Sequence, residues 1–382
     1  MYKMLSKRLS GIEESATIKM GQIAKKLQEE GKEVLNFSLG EPDFKTPEHI
    51  CEAAKHALDL GYTHYVSSAG IKELREEIAK KIREENKVDA SLENVIVTPG
   101  AKQAIYELMM SVLDEGDEAI LLDPAWVTLE SAVKIAGGVP KWVKRLEEGV
   151  KYNSLESVAS ENTKMMIINS PNNPVGYVLS DDELKEIAEF AVDHDLLVLS
   201  DEIYERIIYE RRHVSIASFD DMQSRTVIIN GFSKTYAMTG WRVGYAVAPV
   251  EIAKGMLKIQ QHSVTCAPSF AQFAALTALR SSQECVEGMI EEFKRRRDVT
   301  VKRLNEIGLR CLNPEGAFYA FVNTSNHGND IEFTERLLRE AYVVVTPGSA
   351  FGLAGKDYVR FSFAASIEDI LEGMERMEKM FP

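Results

Sequence analysis

Short apolar runs alternate with amphipathic stretches through the middle of this chain. Five continuous apolar runs predict β-strands, at residues 95–98, 119–122, 165–169, 196–200 and 226–230. Three stretches with apolar side chains at helical spacing separate them, at residues 102–113, 127–135 and 182–194. Strands that are apolar along their whole length are typical of parallel sheets buried on both faces. The pattern therefore predicts an α/β fold with a mostly parallel central sheet and helices on both faces.

Toward the C-terminus, helices and short strands no longer alternate regularly. Helices are predicted at residues 268–280, 284–306, 331–341 and 367–380, and short strands near residue 309 and at 317–322, 343–345 and 358–363. This arrangement predicts a smaller α+β domain. We expect residues 284–382 to form it, residues 47–283 to form the large α/β domain, and residues 1–46 to be an N-terminal segment that joins the small domain.

The N-terminal region also carries recognisable signals. Apolar side chains at helical spacing predict helices at residues 19–30 and 74–86, and a short strand is expected at residues 34–38. Thr46 and Pro47 read as an N-cap followed by proline in the first helical position, which predicts that a helix begins there.

Composition narrows the class of protein. The chain has 382 residues, of which 45% are hydrophobic and 27% charged, as is ordinary for a globular protein. Its net charge of −14 would repel nucleic acids and anionic membranes, so neither is an expected partner. The four cysteines lack metal-ligand spacing, and we expect no metal site. Without a signal-length or membrane-length apolar stretch, a cytoplasmic location is expected.

Polar, aromatic or glycine residues follow each of the predicted strands. Because ligands of parallel sheets bind beyond the carboxyl ends of the strands, we expect these residues to converge at one edge. They are Gly100, Ala101 and Lys102 after the first strand, Trp126 after the second, Asn173 after the third, Asp201 and Tyr204 after the fourth, and Lys234 after the fifth.

One part of this edge is suited to a phosphate group. Gly100, Ala101 and Lys102 open a predicted helix, whose free backbone N–H groups and positive dipole end favour an anion. Arg242 could add a cation with two parallel hydrogen bonds. The motifs GxxxxGK[ST] and GxGxxG are absent, which disfavours nucleoside triphosphates and dinucleotides. A small phosphorylated cofactor remains.

The other strand-end residues are suited to a heterocyclic ring. Asp201 directly follows a buried strand, where ionisation is costly unless a cation meets it, so it could hold a ring nitrogen protonated; the alternative is a helix N-cap. Tyr204 and Asn173 could donate to a phenolic oxygen, and Trp126 could stack on a flat ring. Lys234, between Ser233 and Thr235, is placed to form an imine. Together these groups are what pyridoxal phosphate requires.

The chain resembles the fold-type I pyridoxal phosphate-dependent aminotransferases of the class I aspartate aminotransferase family. Four motifs carry the resemblance in order along the chain: GEPDF at 40–44, SPNNPVG at 170–176, SDEIY at 200–204 and GFSKTYAMTGWRVG at 231–244. The similarity extends from SATIKM at 15–20 to VRFSFA at 359–364. It implies a homodimeric transaminase that exchanges amino groups between amino acids and 2-oxo acids.

The resemblance implies a role for each matching residue. Lys234, Asp201 and Tyr204 would be catalytic: Lys234 binds the cofactor as a Schiff base and moves a proton, Asp201 keeps the ring nitrogen protonated, and Tyr204 bonds the ring oxygen together with Asn173. The implied cofactor site comprises Lys234, Gly100, Ala101, Lys102, Trp126, Asn173, Asp201, Tyr204, Ser233, Arg242 and Tyr65, with Tyr65 reaching the phosphate of the neighbouring subunit. Gly231 stands where the animal-type pattern has a phosphate-binding serine.

Substrate binding is also implied by the resemblance. Arg360 would hold the substrate α-carboxylate through two parallel hydrogen bonds, with Gly40 approaching through its backbone. Lys102, Ser15 and Thr17 would receive a distal carboxylate, although Ser15 and Thr17 could equally be a helix cap. Trp126 and Asn173 complete the substrate set. Aspartate with 2-oxoglutarate is therefore the favoured pair, prephenate is a competitor, and alanine or an aromatic amino acid is less favoured.

Two readings outside transamination follow from the same scaffold. The cofactor anchors fix the cofactor and not the reaction, so a β-lyase, decarboxylase or cyclising synthase could use them. A regulator without enzymatic activity would need an additional DNA-binding domain, for which this acidic chain has no room.

Overall fold

The computed structural model describes residues 6, 9, 11, 12, 14–146 and 149–380, without the side chain of Thr17. Within these ranges the strands, in chain order, are β1 (Leu35–Asn36), β2 (Val95–Thr98), β3 (Glu118–Asp123), β4 (Val139–Lys144), β5 (Thr163–Asn169), β6 (Leu197–Asp201), β7 (Thr226–Gly231), β8 (Gly244–Val247), β9 (Tyr319–Asn323), β10 (Val343–Val344), β11 (Thr346–Pro347) and β12 (Tyr358–Ser362).

The central sheet has the strand order β2-β8-β7-β6-β5-β3-β4. Strands β7, β6, β5, β3 and β4 pair in parallel, whereas β8 is antiparallel to both of its neighbours. The mostly parallel sheet predicted from the apolar runs is confirmed, because all five of those runs are strands of this sheet.

Helices surround the sheet and the smaller strands. In chain order they are α1 (Ala16–Glu29), α2 (Glu48–Asp59), α3 (Lys72–Lys81), α4 (Ala101–Val112), α5 (Val127–Ala136), α6 (Tyr152–Glu156), α7 (Asp181–Asp193), α8 (Val250–Ser263), α9 (Ser269–Arg280), α10 (Glu284–Glu306), α11 (Asp330–Arg336) and α12 (Ile367–Glu378). No helix in the described part of the chain combines the length and hydrophobicity that crossing a bilayer requires.

Helices cover both faces of the central sheet, as the pattern predicted. Alternate side chains of β3 show this: Ile120 belongs to a core with α7, and Leu121 belongs to a core with α4 and α5. Successive strand residues point to opposite faces, so two separate cores are buried. This double burial explains why the strands are apolar along their whole length.

The sequence pattern missed β4, β8, β11, α6 and α8. Strand β4 is an edge strand whose residues are mostly half-buried or exposed, so its apolar signal is weak. Strand β8 has four residues and follows directly on a turn-rich stretch. Two local predictions were wrong: the region near residue 309 has an isolated bridge from Cys311 to Val322 instead of a strand, and Thr46 does not cap α2. The Thr46 hydroxyl instead donates to the Ala237 carbonyl at 2.7 Å.

Strand β8 has a consequence for the site. Its first residue, Gly244, pairs with Thr98 at the end of β2 and with Gly231 at the end of β7. Because β8 is antiparallel, the residues before it lie at the edge where the parallel strands end. The direction of this one strand therefore brings Arg242 beside the residues that follow β2 and β7.

Two smaller sheets lie outside the central one. Strands β11, β12 and β9 form an antiparallel sheet, and β1 pairs in parallel with β10. The pairing of Leu35 with Val343 links the N-terminal segment to the C-terminal part. An N-terminal segment that joins the small domain would make such a pairing, and the division at residues 46 and 283 stays a prediction.

Candidate active site

A cavity of about 340 Å³ lies at the carboxyl ends of the central strands and reaches the small antiparallel sheet. Most of the residues singled out from the sequence line it. They are Ser15, Gly40, Ala101, Lys102, Trp126, Asn173, Asp201, Tyr204, Ser233, Lys234, Arg242 and Arg360. The expectation that polar strand-end residues converge at one edge therefore matches the structure.

Lys234 follows the end of β7 and reaches across the cavity. Its ammonium group donates to the Gly40 carbonyl oxygen and lies 6.0 Å from the ring centre of Tyr204 and 5.8 Å from that of Phe318. Burial lowers the pKa of Lys234 to about 8. A lysine of this kind is partly unprotonated near neutral pH, so it can act both as a nucleophile and as a proton carrier.

Asp201 is the last residue of β6 and is almost fully buried. Its carboxylate accepts a hydrogen bond from the Ile203 backbone N–H at 3.2 Å. Burial raises the pKa of Asp201 to about 7, because a buried charge without a close cation is costly. A bound cationic group beside it would favour the ionised form.

The hydroxyl groups of Tyr204 and Tyr319 are joined by a hydrogen bond of 2.7 Å inside the cavity wall. Both side chains are buried. Tyr204 follows β6, whereas Tyr319 begins β9, so this bond connects the central sheet to the small one.

Arg360 lies in the middle of β12 and is only 1% exposed. It donates from Nη1 to Asn173 Oδ1 at 2.9 Å and from Nη2 to the Ser38 carbonyl at 2.6 Å. Its Nε has no hydrogen-bond partner among the described residues. The guanidinium lies 4.5 Å from the ring centre of Tyr319 and 5.0 Å from that of Phe351. Burial lowers its pKa. An anion in the cavity would satisfy both the charge and the free donor.

The start of α4 forms the cationic end of the cavity with Arg242. Gly100 caps this helix at φ 85°, and a Cβ there would lie 2.4 Å from Arg242 Nη2, so glycine permits the close approach. Arg242 donates to the carbonyls of Thr239 at 2.8 Å and Pro99 at 3.3 Å. A helix N-terminus beside a guanidinium is a favourable place for an anion.

Lys102 extends the positive charge along the cavity wall. Its ammonium lies 5.0 Å from the Trp126 ring, and burial, with the neighbouring Arg242, lowers its pKa. Among the residues that the structure describes, neither Lys102, Lys234, Arg242 nor Arg360 forms a salt bridge, although all four line one cavity. Asp201 is the one acidic side chain described in that lining. The cavity therefore favours anionic ligands in a protein that is acidic overall.

Two predicted site residues, Gly100 and Tyr65, are not in the lining of the cavity, and the side chain of a third, Thr17, is not described. Gly100 lies directly behind it, against Arg242. Tyr65 is 84% exposed and borders a different groove with Phe270 and Cys266. Thr17 belongs to α1, but its side chain lies outside the described part of the structure.

The structure also adds residues that the sequence interpretation did not include. They are Ile18, Asn169, Ile203, Thr239 and Tyr319. Asn169 ends β5, so the rule applied to Asp201 could have identified it; its side chain donates to the Asp201 carbonyl at 3.0 Å and accepts from the Asn173 N–H at 2.8 Å. Tyr319 lies within the aromatic run FYAF, which reads as ordinary core packing.

A second polar cluster lies behind Asp201 and includes potential metal ligands. Glu202, Glu205 and His213 bring ligand atoms within 4.8 Å of one another, beside a cavity of about 530 Å³. Their carboxylate oxygens already accept protein hydrogen bonds, including those from Asn86 Nδ2 at 3.0 Å to Glu202 and 2.8 Å to Glu205. Lys81 also donates to Glu205. A cation would have to displace these donors, so the expectation of no metal stays a prediction.

Comparisons with known proteins agree with this geometry. A family model described as aminotransferase class I and II matches residues 32–377. The chain is 46% identical to an aspartate aminotransferase of Pyrococcus abyssi, over 98% of each protein. It is 44% identical to aromatic-amino-acid aminotransferase 2 of Thermococcus litoralis, again over 98% of each. The solved structure of Thermus thermophilus aspartate aminotransferase with maleate superimposes with a TM-score of 0.95, at 40% identity and 99% coverage of each chain.

Proposed function

The chain belongs to the family of class I and II aminotransferases and is a pyridoxal phosphate-dependent transaminase of fold type I, and from this premise we propose that it transfers the amino group of L-aspartate to 2-oxoglutarate. The observation that carries the proposal is the number of cations in the cavity. Arg242 and Lys234 serve the cofactor, which leaves Lys102 and Arg360 for the two carboxylates of a dicarboxylic amino acid.

The residues present fit the cofactor. The phosphate would lie at the N-terminus of α4, against the backbone of Ala101 and the guanidinium of Arg242. Asp201 is buried without a salt bridge among the described residues, so the ionised carboxylate lacks a partner that a protonated ring nitrogen would supply. Trp126 borders the cavity and offers an aromatic face for the ring.

Further contacts would fix the ring in place. Tyr204 and Asn173 would donate to the ring oxygen, and Ser233 would add a polar contact next to Lys234. When bound, pyridoxal phosphate supplies an aldehyde that exchanges amino groups and a ring that withdraws electrons from the substrate Cα.

The protein then contributes proton transfer and orientation. With its pKa lowered to about 8 by burial, the Lys234 amine would remove the proton from the substrate Cα and later return a proton to the reacting atoms. The Asp201 carboxylate would keep the ring nitrogen protonated. Arg360 holds the α-carboxylate with Asn173 and the backbone near Gly40, and so presents the Cα–H bond to Lys234.

Lys102 would select the distal carboxylate, supported by Ser15 and Thr17. Lys102 is placed on the cavity wall beside Trp126, and Ser15 lines the same cavity. Prephenate is the second candidate because it also carries two carboxylates, and the relative named as an aromatic-amino-acid aminotransferase makes tyrosine a necessary comparison.

A substrate panel tests the specificity. Aspartate, alanine and tyrosine are assayed with 2-oxoglutarate, and prephenate is assayed with glutamate and with aspartate. We expect the largest kcat/KM for aspartate. A larger value for tyrosine or prephenate would overturn the assignment, and pyruvate with ammonia released from a cysteine conjugate without an oxo acid would indicate a β-lyase.

We also propose a homodimer in which Tyr65 serves the neighbouring cavity. Tyr65, Leu60 and Tyr62 are 84%, 61% and 41% exposed, an unusual concentration of large apolar side chains in one stretch. Tyr65 is not part of the cavity of its own chain.

Hybrid dimers test this role. Lys234→Ala and Tyr65→Ala subunits are mixed under dissociating conditions and reassociated. We expect one restored site in each hybrid, because the Tyr65→Ala subunit keeps Lys234 and receives Tyr65 from its partner. Activity equal to the mean of the two parents would contradict the exchange of Tyr65.

A cytoplasmic location is also proposed. Cys51, Cys266, Cys285 and Cys311 are all free thiols, which suits a reducing compartment. Fractionation of the source cells, with activity measured in each fraction, tests it; activity outside the cytoplasmic fraction would contradict it.

A further inference from the structure

Tyr319 contacts three parts of the active site at once. Its hydroxyl is 2.7 Å from the Tyr204 hydroxyl, and its ring lies under the Arg360 guanidinium at 4.5 Å. A Cβ at Gly40 would lie 2.8 Å from the same hydroxyl, so the substrate loop is packed against it as well. The side chain is fully buried, and the small sheet holds it at the start of β9, where it pairs with Ser362.

The direction of the bond between the two hydroxyls decides what Tyr204 can do. A tyrosine hydroxyl has one hydrogen to donate. If Tyr204 gave its hydrogen to Tyr319, it would have none for the ring oxygen of the cofactor. If Tyr319 donates instead, Tyr204 is free to donate into the cavity, and a hydroxyl that accepts one hydrogen bond is a stronger donor in the next.

The surroundings favour Tyr319 as the donor. The positive charge of Arg360 over its ring draws electron density from the hydroxyl, which makes the hydrogen more acidic. Burial raises the pKa of both hydroxyls and Arg360 opposes the rise in both, but it is the ring of Tyr319 that lies 4.5 Å from the guanidinium. The more acidic of two hydroxyls is the better donor.

We propose that Tyr319 is a positioning residue that donates its hydroxyl hydrogen to Tyr204 and so directs the Tyr204 hydroxyl toward the cofactor ring oxygen. This inference rests on the proposed function. Because Tyr319 also packs against Arg360, it connects the residue that holds the substrate carboxylate with the residue that bonds the cofactor ring.

The visible absorption of the bound cofactor provides the measurement. Its pH titration reports the proton on the imine that Lys234 forms, and a hydrogen bond to the ring oxygen lowers the midpoint. The other charged groups that line the cavity, which are Asp201, Arg360, Lys102 and Arg242, remain unchanged in the variants compared.

Tyr319→Phe keeps the ring against Arg360 and removes only the hydroxyl. We expect the titration midpoint to rise by roughly 0.5 to 1 pH unit, the size of one lost hydrogen bond. In a Tyr204→Phe background the same substitution should add no further shift, because Tyr319 acts through Tyr204. An unchanged midpoint would reduce Tyr319 to packing, and a lower midpoint would show that Tyr204 donates to Tyr319; either result overturns the proposal.

Two further variants distinguish the loss of this one hydrogen bond from a general loss of stability. Tyr236→Phe removes another buried hydroxyl, which donates to Gln283 Oε1 at 2.9 Å, and should leave the midpoint unchanged. 3-Fluorotyrosine at position 319 keeps the shape, strengthens the donor, and should lower the midpoint; a rise would overturn the proposal. If the wild-type protein shows no titrating band with pyridoxal phosphate, the proposed function fails, whereas an unmoved band in Tyr319→Phe rejects only this inference.

Discussion

Asp201 and Glu202 are neighbours in the chain, yet they belong to two charged regions of opposite character. Asp201 faces the cofactor cavity, where burial raises its pKa to about 7 and the described residues offer it no salt bridge. Glu202 faces the cluster behind it, where the hydroxyls of Ser200 and Ser215, the Asn86 amide and the His213 ring meet its oxygens. In the first region a ligand would supply the charged partner of Asp201, whereas in the second region protein groups already satisfy Glu202.

The same contrast separates the basic residues. Lys81 is buried against Glu205 and donates to Asn86 at 2.8 Å, and although burial opposes ionisation, Lys81 and His213 hold the pKa of Glu205 down to about 2. Among the described residues the hydrogen-bond partner of Lys234 is the Gly40 carbonyl, and burial lowers the pKa of Lys234 to about 8. Removing one partner of a satisfied buried pair destabilises the fold, whereas buried charges without partners are typical of functional sites.

The largest expected effect comes from removing Lys234. Lys234→Ala should lower kcat by about 10⁴-fold or more, because it removes both the covalent anchor and the proton carrier. Borohydride treatment followed by mass spectrometry should detect a protein–cofactor bond in the wild type and in Lys102→Ala, but not in Lys234→Ala. A reducible bond in Lys234→Ala would show that Lys234 is not the covalent anchor of the cofactor.

The corresponding change in the second cluster should affect stability instead. Lys81→Met leaves Glu205 buried without its cation and should cost about 3 to 5 kcal/mol in the free energy of unfolding. Urea unfolding measures it, with Lys72→Ala as the matched control, because the pair of Lys72 with Glu76 at 3.5 Å is exposed and should contribute less than about 1 kcal/mol. The two losses are compared as free energies. If the loss of kcat per folded molecule exceeded the loss in free energy of unfolding, Lys81 would act in catalysis and the division between the two regions would fail.

A smaller effect should separate substrates within the cavity. Lys102→Ala should cost about 1.5 to 3 kcal/mol in kcat/KM for aspartate, the size of a charged hydrogen bond, and little for alanine, which has no distal carboxylate. Steady-state kinetics with both substrates tests it. Equal losses for the two amino acids would reject the specificity role.

The smallest effect, expressed as the change in unfolding free energy per pH unit, is a pH dependence that has opposite signs in the two regions. Asp201 has a folded-state pKa raised from 3.8 to about 7, so the stability linked to it is present below pH 4 and is lost as the pH rises toward 7. Glu205 has a folded-state pKa lowered from 4.5 to about 2, so its contribution is present above pH 4.5 and is lost as the pH falls toward 2.

Unfolding of the cofactor-free protein between pH 3 and 7 measures both. Relative to Asp201→Asn, the wild type should lose at most about 1.4 kcal/mol per pH unit on going up from pH 4, and relative to Glu205→Gln it should lose stability on going down from pH 4.5. Differences of the same sign would remove the contrast between the regions.

The sequence by itself determined the central sheet and the residues that follow its strands. A strand that is buried on both faces is apolar along its whole length, and this can be seen in the sequence alone. Each of the five predicted strands is therefore present in the structure. The carboxyl ends of parallel strands meet at one edge, which is why Asp201, Asn173 and Lys234 could be placed together before any contact was known. Weakly patterned elements escaped this reasoning, as β4 and β8 did.

Only the tertiary structure decided the contacts between distant parts of the chain. The antiparallel direction of β8 brings Arg242 to the strand ends, and the small sheet carries Arg360 and Tyr319 against Asn173 and Tyr204. The local pattern also did not decide which of Asp201, the last residue of β6, and Glu202, the next residue, would face the cavity. The physical reason is that periodicity records burial, whereas the partner of a buried charge depends on which surfaces the folded chain packs together.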